Sequence, residues 1–128
     1  MSILDTDVLA ALMRTVPEAP VVAWLDRPPA ESVWITGITL FEARLGLLPS
    51  GLLKEDLENR VLDFDSAAAA EAALLAAARQ KIGRPVDMRD TQIAGIALAR
   101  RATLATRNVR HLADLMISIV DPWAAQNL

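Results

Sequence analysis

The sequence predicts an α/β fold in which a mainly parallel central sheet is flanked by helices on both faces. Short apolar, β-branched segments alternate with longer helical segments along the 128 residues, and this alternation is typical of a parallel sheet. The length suits one domain, residues 1–128, that buries its own core. No repeat or linker composition marks a domain boundary.

The first half of the chain is predicted to begin with a strand that runs directly into a helix. Asp5, Thr6 and Asp7 follow the apolar N-terminal residues, and such short polar side chains are typical N-caps. Pro20 suits the first turn of a second helix, and Thr39 can cap a third. The predicted elements, in order, are a strand at Ser2–Leu4, helices at Val8–Met13 and Pro20–Leu25, a strand at Val33–Thr36 and a helix from Thr39 to Leu48.

The second half continues the alternation of helices and strands. Its alanine-rich segment has high helix propensity, can be capped by Asp65 or Ser66, and is expected to end near Gly83. The apolar Ile93 and Ile96 indicate a mostly buried helix after it. The remaining predicted elements are a helix at Leu53–Arg60, an extended stretch at Val61–Phe64, a helix that opens at Val86–Asp90 and ends at Arg101, a strand at Thr103–Thr106, a helical turn at Val109–Leu115 and a strand at Met116–Val120.

Composition excludes several classes of site. The chain has no cysteine, which rules out disulfides, thiolate metal sites and cysteine nucleophiles. It also lacks glycine-rich phosphate loops, and no Gly-x-Ser-x-Gly turn accompanies its single histidine, His111. Acidic residues lie where a signal peptide would need a basic segment, and no apolar run approaches the roughly 18 residues of a membrane span. We therefore expect a cytoplasmic protein that makes no membrane contact.

Carboxylates remain as the side chains able to carry chemistry. Asp5 follows an apolar strand, Glu42 lies within an apolar helical stretch, and Asp90 precedes an apolar run. Three converging carboxylates would repel one another unless a cation held them. Oxygen ligands select hard ions such as Mg²⁺ or Mn²⁺, and an ion of that kind promotes phosphodiester hydrolysis. This interpretation makes the chain a metal-dependent nuclease.

Each of these acids also has a purely structural explanation. Asp5 could act only as a helix N-cap, and Asp90 lies three residues after Asp87, as in a capping box. Glu42 could form a structural salt bridge with Arg44 or Arg107. Spacing alone leaves the nuclease and the structural interpretations equally open.

The charge distribution is uneven although the formal net charge is only −3. Between Arg79 and Arg110 there are eight basic residues and two acidic ones, whereas 54–71 holds six acidic residues and two basic ones. The basic stretch could form an electropositive rim that attracts phosphate beside the acidic pocket, or simply a solvated helix face. Arg107 is the residue of this stretch expected to contact a substrate phosphate.

Five segments resemble, in order, the motifs of one nuclease family. They are Ile3-Leu4-Asp5-Thr6-Asp7-Val8-Leu9, Trp34-Ile35-Thr36 with Thr39-Leu40-Phe41-Glu42-Ala43-Arg44-Leu45-Gly46, Gly83-Arg84-Pro85 with Asp90-Thr91-Gln92-Ile93-Ala94-Gly95-Ile96-Ala97, Leu104-Ala105-Thr106-Arg107-Asn108, and Asp121-Pro122-Trp123. Together they resemble PIN-domain ribonuclease toxins of the VapC/FitB type. The resemblance extends from residue 3 to residue 123. Each motif alone is weakly specific, and five in sequence are strongly so.

The resemblance implies the toxin of a type II toxin–antitoxin pair that cleaves RNA with Mg²⁺ or Mn²⁺ in an acidic pocket. The family's acids map onto Asp5, Glu42 and Asp90, which the resemblance makes catalytic and metal-binding residues. Auxiliary or substrate-binding roles then fall to Thr6, Thr106, Arg107 and Asn108.

The resemblance also implies two protein partners. One is a second copy of the chain in a homodimer, and the other is a cognate antitoxin whose C-terminal segment fills the active-site groove. The helices Val8–Met13 and Pro20–Leu25 would line this groove. Apolar contacts could come from Leu12, Val21, Val22 and Trp24, at least two of which we expect to belong to the ordinary core.

Two departures from the family pattern affect these expectations. Where the family often has a fourth acid, this chain offers Asn108 and His111. We therefore expect one firm metal site at Asp5 and Asp90, supported by Glu42, and at most a weak second site. The segment that should hold a helical hairpin is also short, which predicts an absent stretch at the Gly51–Leu52 junction.

Two other classes of protein compete with the nuclease. A receiver-type signalling module needs adjacent acids after the first strand and a lysine after a late strand, and the sequence provides neither. A catalytically inactive PIN-like module that only binds a partner protein or RNA stays open. RNA cleavage with added Mn²⁺ would separate it from the nuclease.

Overall fold

The computed structural model describes residues 1–48, 55–84 and 87–124 of the chain. Its strands are β1 (Ser2–Leu4), β2 (Val33–Thr36), β3 (Val61–Leu62), β4 (Thr103–Ala105) and β5 (Ile119–Val120). Its α-helices are α1 (Thr6–Met13), α2 (Ala19–Leu25), α3 (Gly37–Arg44), α4 (Glu55–Glu58), α5 (Ser66–Lys81), α6 (Met88–Arg100) and α7 (Val109–Leu112), and a short 3₁₀ helix spans Ala30–Ser32. The strands form one sheet in the order β3-β2-β1-β4-β5, and each neighbouring pair is parallel.

Most predicted elements are confirmed, and the differences lie at their ends. α3 begins at Gly37 because Thr36, and not Thr39, is its N-cap: the Thr36 hydroxyl accepts a hydrogen bond from the backbone N–H of Thr39 at 3.2 Å. The helix ends at Arg44, short of the predicted end, and Gly46 follows in the left-handed region with φ 86°. Such a glycine commonly stops a helix. The prediction that Thr39 caps α3 is therefore wrong.

The later elements are shorter than predicted. α7 ends at Leu112 and β5 covers only Ile119–Val120, whereas the sequence predicted a strand from Met116. The Met116 side chain is 93% exposed, so it contributes nothing to the sheet packing that would hold a longer strand. The Gly51–Leu52 junction lies outside the described residues, and the missing-segment hypothesis stays a prediction.

Helices cover the sheet on both faces, as the sequence predicts. Ile3 of β1 and Leu104 of β4 pack in one buried cluster with α5 and α6, while Leu4 and Ala105 belong to a second cluster with α1 and α2. Successive side chains of a strand point to opposite faces, so adjacent residues feed different cores. Within the described ranges, no helix combines the length and apolar character needed to cross a bilayer.

Small side chains bring α5 and α6 close together. Gly95 of α6 lies fully buried, and a Cβ atom built on it would be 2.6 Å from the carbonyl oxygen of Ala68 and 2.7 Å from the Cβ of Ala72. The alanines of α5 therefore provide the smooth face that the composition predicts. This contact holds α6, which begins at Met88, against α5.

Candidate functional site

The strand order places a crevice at the carboxyl ends of the two central strands. The chain moves outward from β1 through β2 to β3, and it then returns to the other side of β1 as β4. Ligands of open parallel sheets bind at such a reversal point. Asp5 directly follows β1 and Thr106 directly follows β4. The structure thus places these two predicted site residues next to each other.

Asp5 is fixed in place by its backbone and by both of its carboxylate oxygens. Its backbone N–H donates to the carbonyl oxygen of Ala105 at 2.9 Å. Its Oδ1 accepts from the backbone N–H of Thr6 at 2.8 Å, which makes Asp5 the N-cap of α1, and its Oδ2 accepts from the Thr106 hydroxyl at 2.7 Å. Asp5 is only 4% exposed. The N-cap and the site-residue interpretations of Asp5 are therefore compatible.

Burial and like charges raise the pKa of two acids at this crevice. The pKa of Asp5 rises from 3.8 to about 6, first through burial and then through the charge of Asp7, although the hydrogen bonds from Thr106 and Thr6 lower it. The pKa of Asp90 also rises from 3.8 to about 6, through burial and then the charges of Asp5, Asp87 and Glu42. Asp5 is thus a negative neighbour of Asp90, and Glu42 is a negative neighbour of both carboxylates. A cation would relieve this repulsion.

Glu42 reaches the same crevice from α3, where two groups orient it. Its Oε1 accepts from the Thr6 hydroxyl at 2.8 Å, and its Oε2 pairs with an Arg89 guanidinium nitrogen at 3.4 Å. The Thr6 hydroxyl lies 2.9 Å from the buried Thr39 hydroxyl. The predicted partner of Glu42, Arg44 or Arg107, is therefore wrong: the structure pairs Glu42 with Arg89, Arg44 with Glu58 and Arg107 with Glu18. The charge of Glu42 also contributes to the raised pKa values of Asp5 and Asp90.

Asp7 is a fourth acid of the crevice. The sequence predicted only a helix-capping role for it. Burial raises its pKa, and the charge of Asp90 adds to the effect. Its Oδ2 accepts from the backbone N–H of Arg107 at 3.1 Å, whereas its buried Oδ1 has no hydrogen-bond partner among the described residues. The Asp-x-Asp spacing after a strand could have drawn attention to it. We call the crevice with Asp5, Asp7, Glu42 and Asp90 the acidic pocket.

The loop after β4 closes one side of the acidic pocket. The buried Thr106 hydroxyl accepts from the backbone N–H of Asn108 at 3.1 Å while it donates to Asp5. Asn108 is the N-cap residue of α7 but makes no side-chain cap hydrogen bond. His111, the other candidate for a fourth polar group, is exposed. The fourth carboxylate is therefore supplied by α1 rather than by this loop.

The donor set of the acidic pocket suits a hard divalent cation. All four side chains present carboxylate oxygens, and the unpartnered Asp7 oxygen and the raised pKa values both indicate negative charge that Arg89 and Arg107 compensate only in part. No three potential ligand side chains lie close enough to form a ready-made metal site in the part of the chain that the structure describes. The shared cation at Asp5, Glu42 and Asp90 therefore stays a prediction.

Comparison with known proteins identifies the family. The model of the PIN domain family matches residues 2–115. The chain belongs to the PIN domain family. It is 34% identical to Toxin FitB of Neisseria gonorrhoeae and 31% identical to VapC ribonuclease Y4jK of Sinorhizobium fredii, in each case over 96% of this chain and at least 98% of the relative. The crystal structure of FitAcB from N. gonorrhoeae matches 97% of this chain and 99% of that chain with a TM-score of 0.84 and 31% identity. These comparisons confirm the resemblance to PIN-domain toxins of the VapC/FitB type.

The basic stretch of this PIN domain does not form one continuous rim. Arg79 is 5% exposed, and its guanidinium donates to the His111 carbonyl and to Asp114 at 2.6 Å each. Arg100 pairs with Asp65 at the end of α6 opposite Asp90. The predicted rim is therefore wrong for these two residues, because tertiary packing directs them to α7 and to the N-terminus of α5.

Two arginines do lie at the acidic pocket of the PIN domain. Arg89 pairs with Glu42, and the backbone of Arg107 donates to Asp7. Both side chains are about half exposed, at 44% and 54%. The electropositive contribution at the pocket thus comes from Arg89 and Arg107.

Two of the four apolar residues proposed for the groove are core residues, and the other two are partly buried; of these, Leu12 packs against the core. Val21 and Trp24 are buried in the cluster with α1 and α2, as expected for at least two of the four. Leu12 and Val22 are partly buried. These two keep apolar area available on α1 and α2.

We expect the Thr106 hydroxyl to hold Asp5 in place and to moderate its pKa. Thr106→Val keeps the side-chain shape but removes the donor to Asp5, so the free energy of unfolding should fall by roughly 1–2 kcal/mol. The pKa of Asp5 should also rise above about 6, because a hydrogen bond that lowers it is lost. Chemical denaturation and NMR titration of the carboxyl carbon measure the two effects. Thr106→Ser keeps the hydroxyl and is the control; equal effects of the two substitutions would contradict this role.

Proposed function

We propose that this PIN domain is a metal-dependent ribonuclease that hydrolyses RNA phosphodiester bonds as the toxin of a toxin–antitoxin pair. The observation that carries the proposal is the acidic pocket at the reversal point of the sheet, where burial and neighbouring negative charges raise the pKa of Asp5 and Asp90 to about 6. Buried carboxylates with raised pKa values in a crevice indicate a functional site rather than a stabilising one. The relatives named a toxin and a VapC ribonuclease support the same activity.

We assign the metal to carboxylates of the acidic pocket. Asp5 and Asp90 hold one Mg²⁺ or Mn²⁺ ion, and Glu42 supports it directly or through water. Such an ion, when bound, polarises a phosphodiester and promotes ionisation of water. Protonation competes with the ion, so the raised pKa values of Asp5 and Asp90 should weaken metal binding as the pH falls through about 6.

The other residues of the pocket orient these groups and the substrate. Thr106 holds Asp5 from the loop after β4, and Thr6 holds Glu42 from the start of α1. Arg107 is exposed beside the pocket and supplies positive charge for an RNA phosphate. Asn108, with no side-chain cap hydrogen bond of its own, is left to contact water or phosphate.

The proposed partners are an antitoxin and a second copy of the chain, and the proposed location is the cytoplasm. The partly buried Leu12 and Val22 provide apolar contacts for an antitoxin segment in the groove beside the pocket. A solved structure of a member of the VapBC family of toxin-antitoxin systems from Mycobacterium tuberculosis, 26% identical to this chain with a TM-score of 0.64, supports the antitoxin as a partner. For the homodimer, support comes from the large apolar side chains of Phe41, Leu45 and Leu47, each more than half exposed.

Cleavage of RNA with and without metal tests the function. Purified protein should cleave transfer RNA or messenger RNA only with added Mg²⁺ or Mn²⁺. Asp90→Asn should reduce the rate about a hundredfold, since a ligand change at such a site costs a few kcal/mol of transition-state stabilisation. Asp87→Asn is the matched control because asparagine caps α6 as well as aspartate does and the residue is exposed. Absence of cleavage with either metal would favour the inactive PIN-like module that only binds a partner.

A further inference from the structure

Arg107 leaves the acidic pocket and lies against an aromatic ring. Its backbone N–H donates a hydrogen bond to Asp7 at 3.1 Å, and the hydroxyl of the preceding residue, Thr106, donates one to Asp5. The start of the Arg107 side chain is therefore fixed at the edge of the pocket. Its guanidinium carbon lies 3.7 Å from the centroid of the Trp123 ring. This distance is that of a close cation–π stack.

Trp123 is itself well anchored. Its backbone N–H donates to Asp121 at 2.9 Å, and its ring packs against the cluster formed by α1 and α2. A ring held in this way limits the positions open to the Arg107 guanidinium. Stacking uses the flat face of the guanidinium, so the N–H groups around its edge stay free to bind an acceptor.

These N–H groups have an ion-pair partner but no hydrogen-bond acceptor among the described residues. Glu18, the residue that precedes α2, has an oxygen 3.9 Å from an Arg107 nitrogen, which is too long for a hydrogen bond. Arg107 makes no side-chain hydrogen bond to any residue that the structure describes. Exposed ion pairs of this kind contribute little stability. The guanidinium is thus oriented but not satisfied.

We propose that the Arg107–Trp123 stack is a subsite for a backbone phosphate of RNA. This phosphate neighbours the phosphodiester bond that is cleaved at the acidic pocket. Trp123 is the positioning residue that holds the guanidinium, and Glu18 occupies the subsite as an internal competitor when RNA is absent. A phosphodiester matches the planar N–H edge of arginine better than a single carboxylate at 3.9 Å does. The proposal rests on the proposed function for the identity of the ligand as RNA.

Binding of a fluorescent single-stranded RNA in EDTA tests the subsite without any cleavage. Arg107→Gln should weaken binding about tenfold at moderate salt and lower the slope of log Kd against log salt by about 0.7, the value for one lost phosphate contact on a single strand. Arg14→Gln is the matched control. It removes the same charge from another exposed arginine that lies 3.9 Å from Glu18, and it involves no stack. Equal effects of the two substitutions would overturn the proposal.

Variants of Trp123 and Glu18 separate positioning from folding. Trp123→Phe keeps a ring and should bind RNA almost as wild type, whereas Trp123→Leu should lose most of the Arg107 effect. Glu18→Gln should tighten binding about twofold to threefold, since a weak exposed ion pair is removed. This gain should vanish in the Arg107→Gln background. A Glu18 effect that persists without Arg107, or a Trp123→Phe variant as weak as Trp123→Leu, would refute the subsite.

Failure of the subsite and failure of the proposed function give different results. A protein that binds RNA through Arg107 in EDTA and never cleaves it with metal keeps the subsite and loses the ribonuclease. A protein that cleaves RNA with metal, and whose binding in EDTA ignores Arg107 and Trp123, keeps the ribonuclease and loses the subsite.

Discussion

Asp5→Asn is expected to abolish metal-dependent RNA cleavage and, at the same time, to stabilise the metal-free protein. Cleavage should fall on the order of a thousandfold, because the substitution removes a carboxylate that we assign to the metal. The structure itself should tolerate the change. Asparagine is as good an N-cap as aspartate and has nearly the same shape. Loss of activity with gain of stability is the signature of a residue kept for function.

The size and pH dependence of the stability gain follow from the pKa of Asp5. That pKa is raised from 3.8 in the unfolded chain to about 6 in the folded protein. Ionised Asp5 therefore costs about 3 kcal/mol of stability above pH 6, since each pKa unit corresponds to about 1.4 kcal/mol. The cost is absent below pH 3.8 and appears as the pH rises through this window. The amide of asparagine accepts a weaker hydrogen bond from Thr106 than the carboxylate does, and this offsets part of the gain. We therefore expect Asp5→Asn to increase the free energy of unfolding by about 2 kcal/mol at pH 7.

Urea denaturation in EDTA at several pH values measures this gain. The difference between Asp5→Asn and wild type should be small near pH 4 and should reach its full value above pH 6. Asp65→Asn is the matched control because Asp65 is likewise an aspartate N-cap, of α5, and lies outside the acidic pocket. A loss of stability in Asp5→Asn at pH 7 would show that the carboxylate is a structural ion rather than a strained functional one.

Gly95→Ala is expected to destabilise the fold by roughly 2–3 kcal/mol through overpacking between α5 and α6. The added Cβ would meet the Ala68 carbonyl oxygen at 2.6 Å and the Ala72 Cβ at 2.7 Å. The backbone of α5 must then move away from α6, because a carbonyl oxygen in a helix has no rotamer to escape through. The higher helix propensity of alanine offsets about 1 kcal/mol of the overpacking cost. The expected destabilisation of roughly 2–3 kcal/mol already includes this offset.

Chemical denaturation measures the effect, and another glycine supplies the control. At Gly37 an added Cβ would have only the Leu62 carbonyl oxygen nearby, at an ordinary 3.8 Å. Gly37→Ala should therefore change the free energy of unfolding by no more than about 0.5 kcal/mol. Equal stability of the two variants would mean that α5 and α6 can separate without cost, which contradicts the close packing described above.

Several helix caps and strands could be predicted because they depend on residues that are neighbours in sequence. Asp5 caps α1 and Asp65 caps α5 through bonds to backbone N–H groups one and three residues ahead. The buried strands β1 and β2 were predicted at their observed limits, since apolar and β-branched runs favour strands locally. Thr36 shows the limit of this approach: two threonines three residues apart can each cap α3, and their sequence does not distinguish them.

The placement of polar side chains depended instead on contacts between distant segments. Asp7 and Arg107 are 100 residues apart and meet only because β4 pairs with β1. Arg79 belongs to a basic stretch in sequence, but it is buried and pairs with Asp114. Trp123 could be read as the end of a motif, and its stack with Arg107 required both loops to lie at the same edge of the sheet.

The sequence by itself determined the α/β class, the family resemblance and three of the pocket acids, Asp5, Glu42 and Asp90. Periodicity, capping and the order of motifs can be recognised in the amino-acid sequence because they do not depend on which segments meet in the folded chain. Only the tertiary structure decided which strands are neighbours, that Asp7 joins the pocket, and where each arginine points. Strand pairing brings together residues far apart in the chain, and burial and charge then act on whichever side chains meet there.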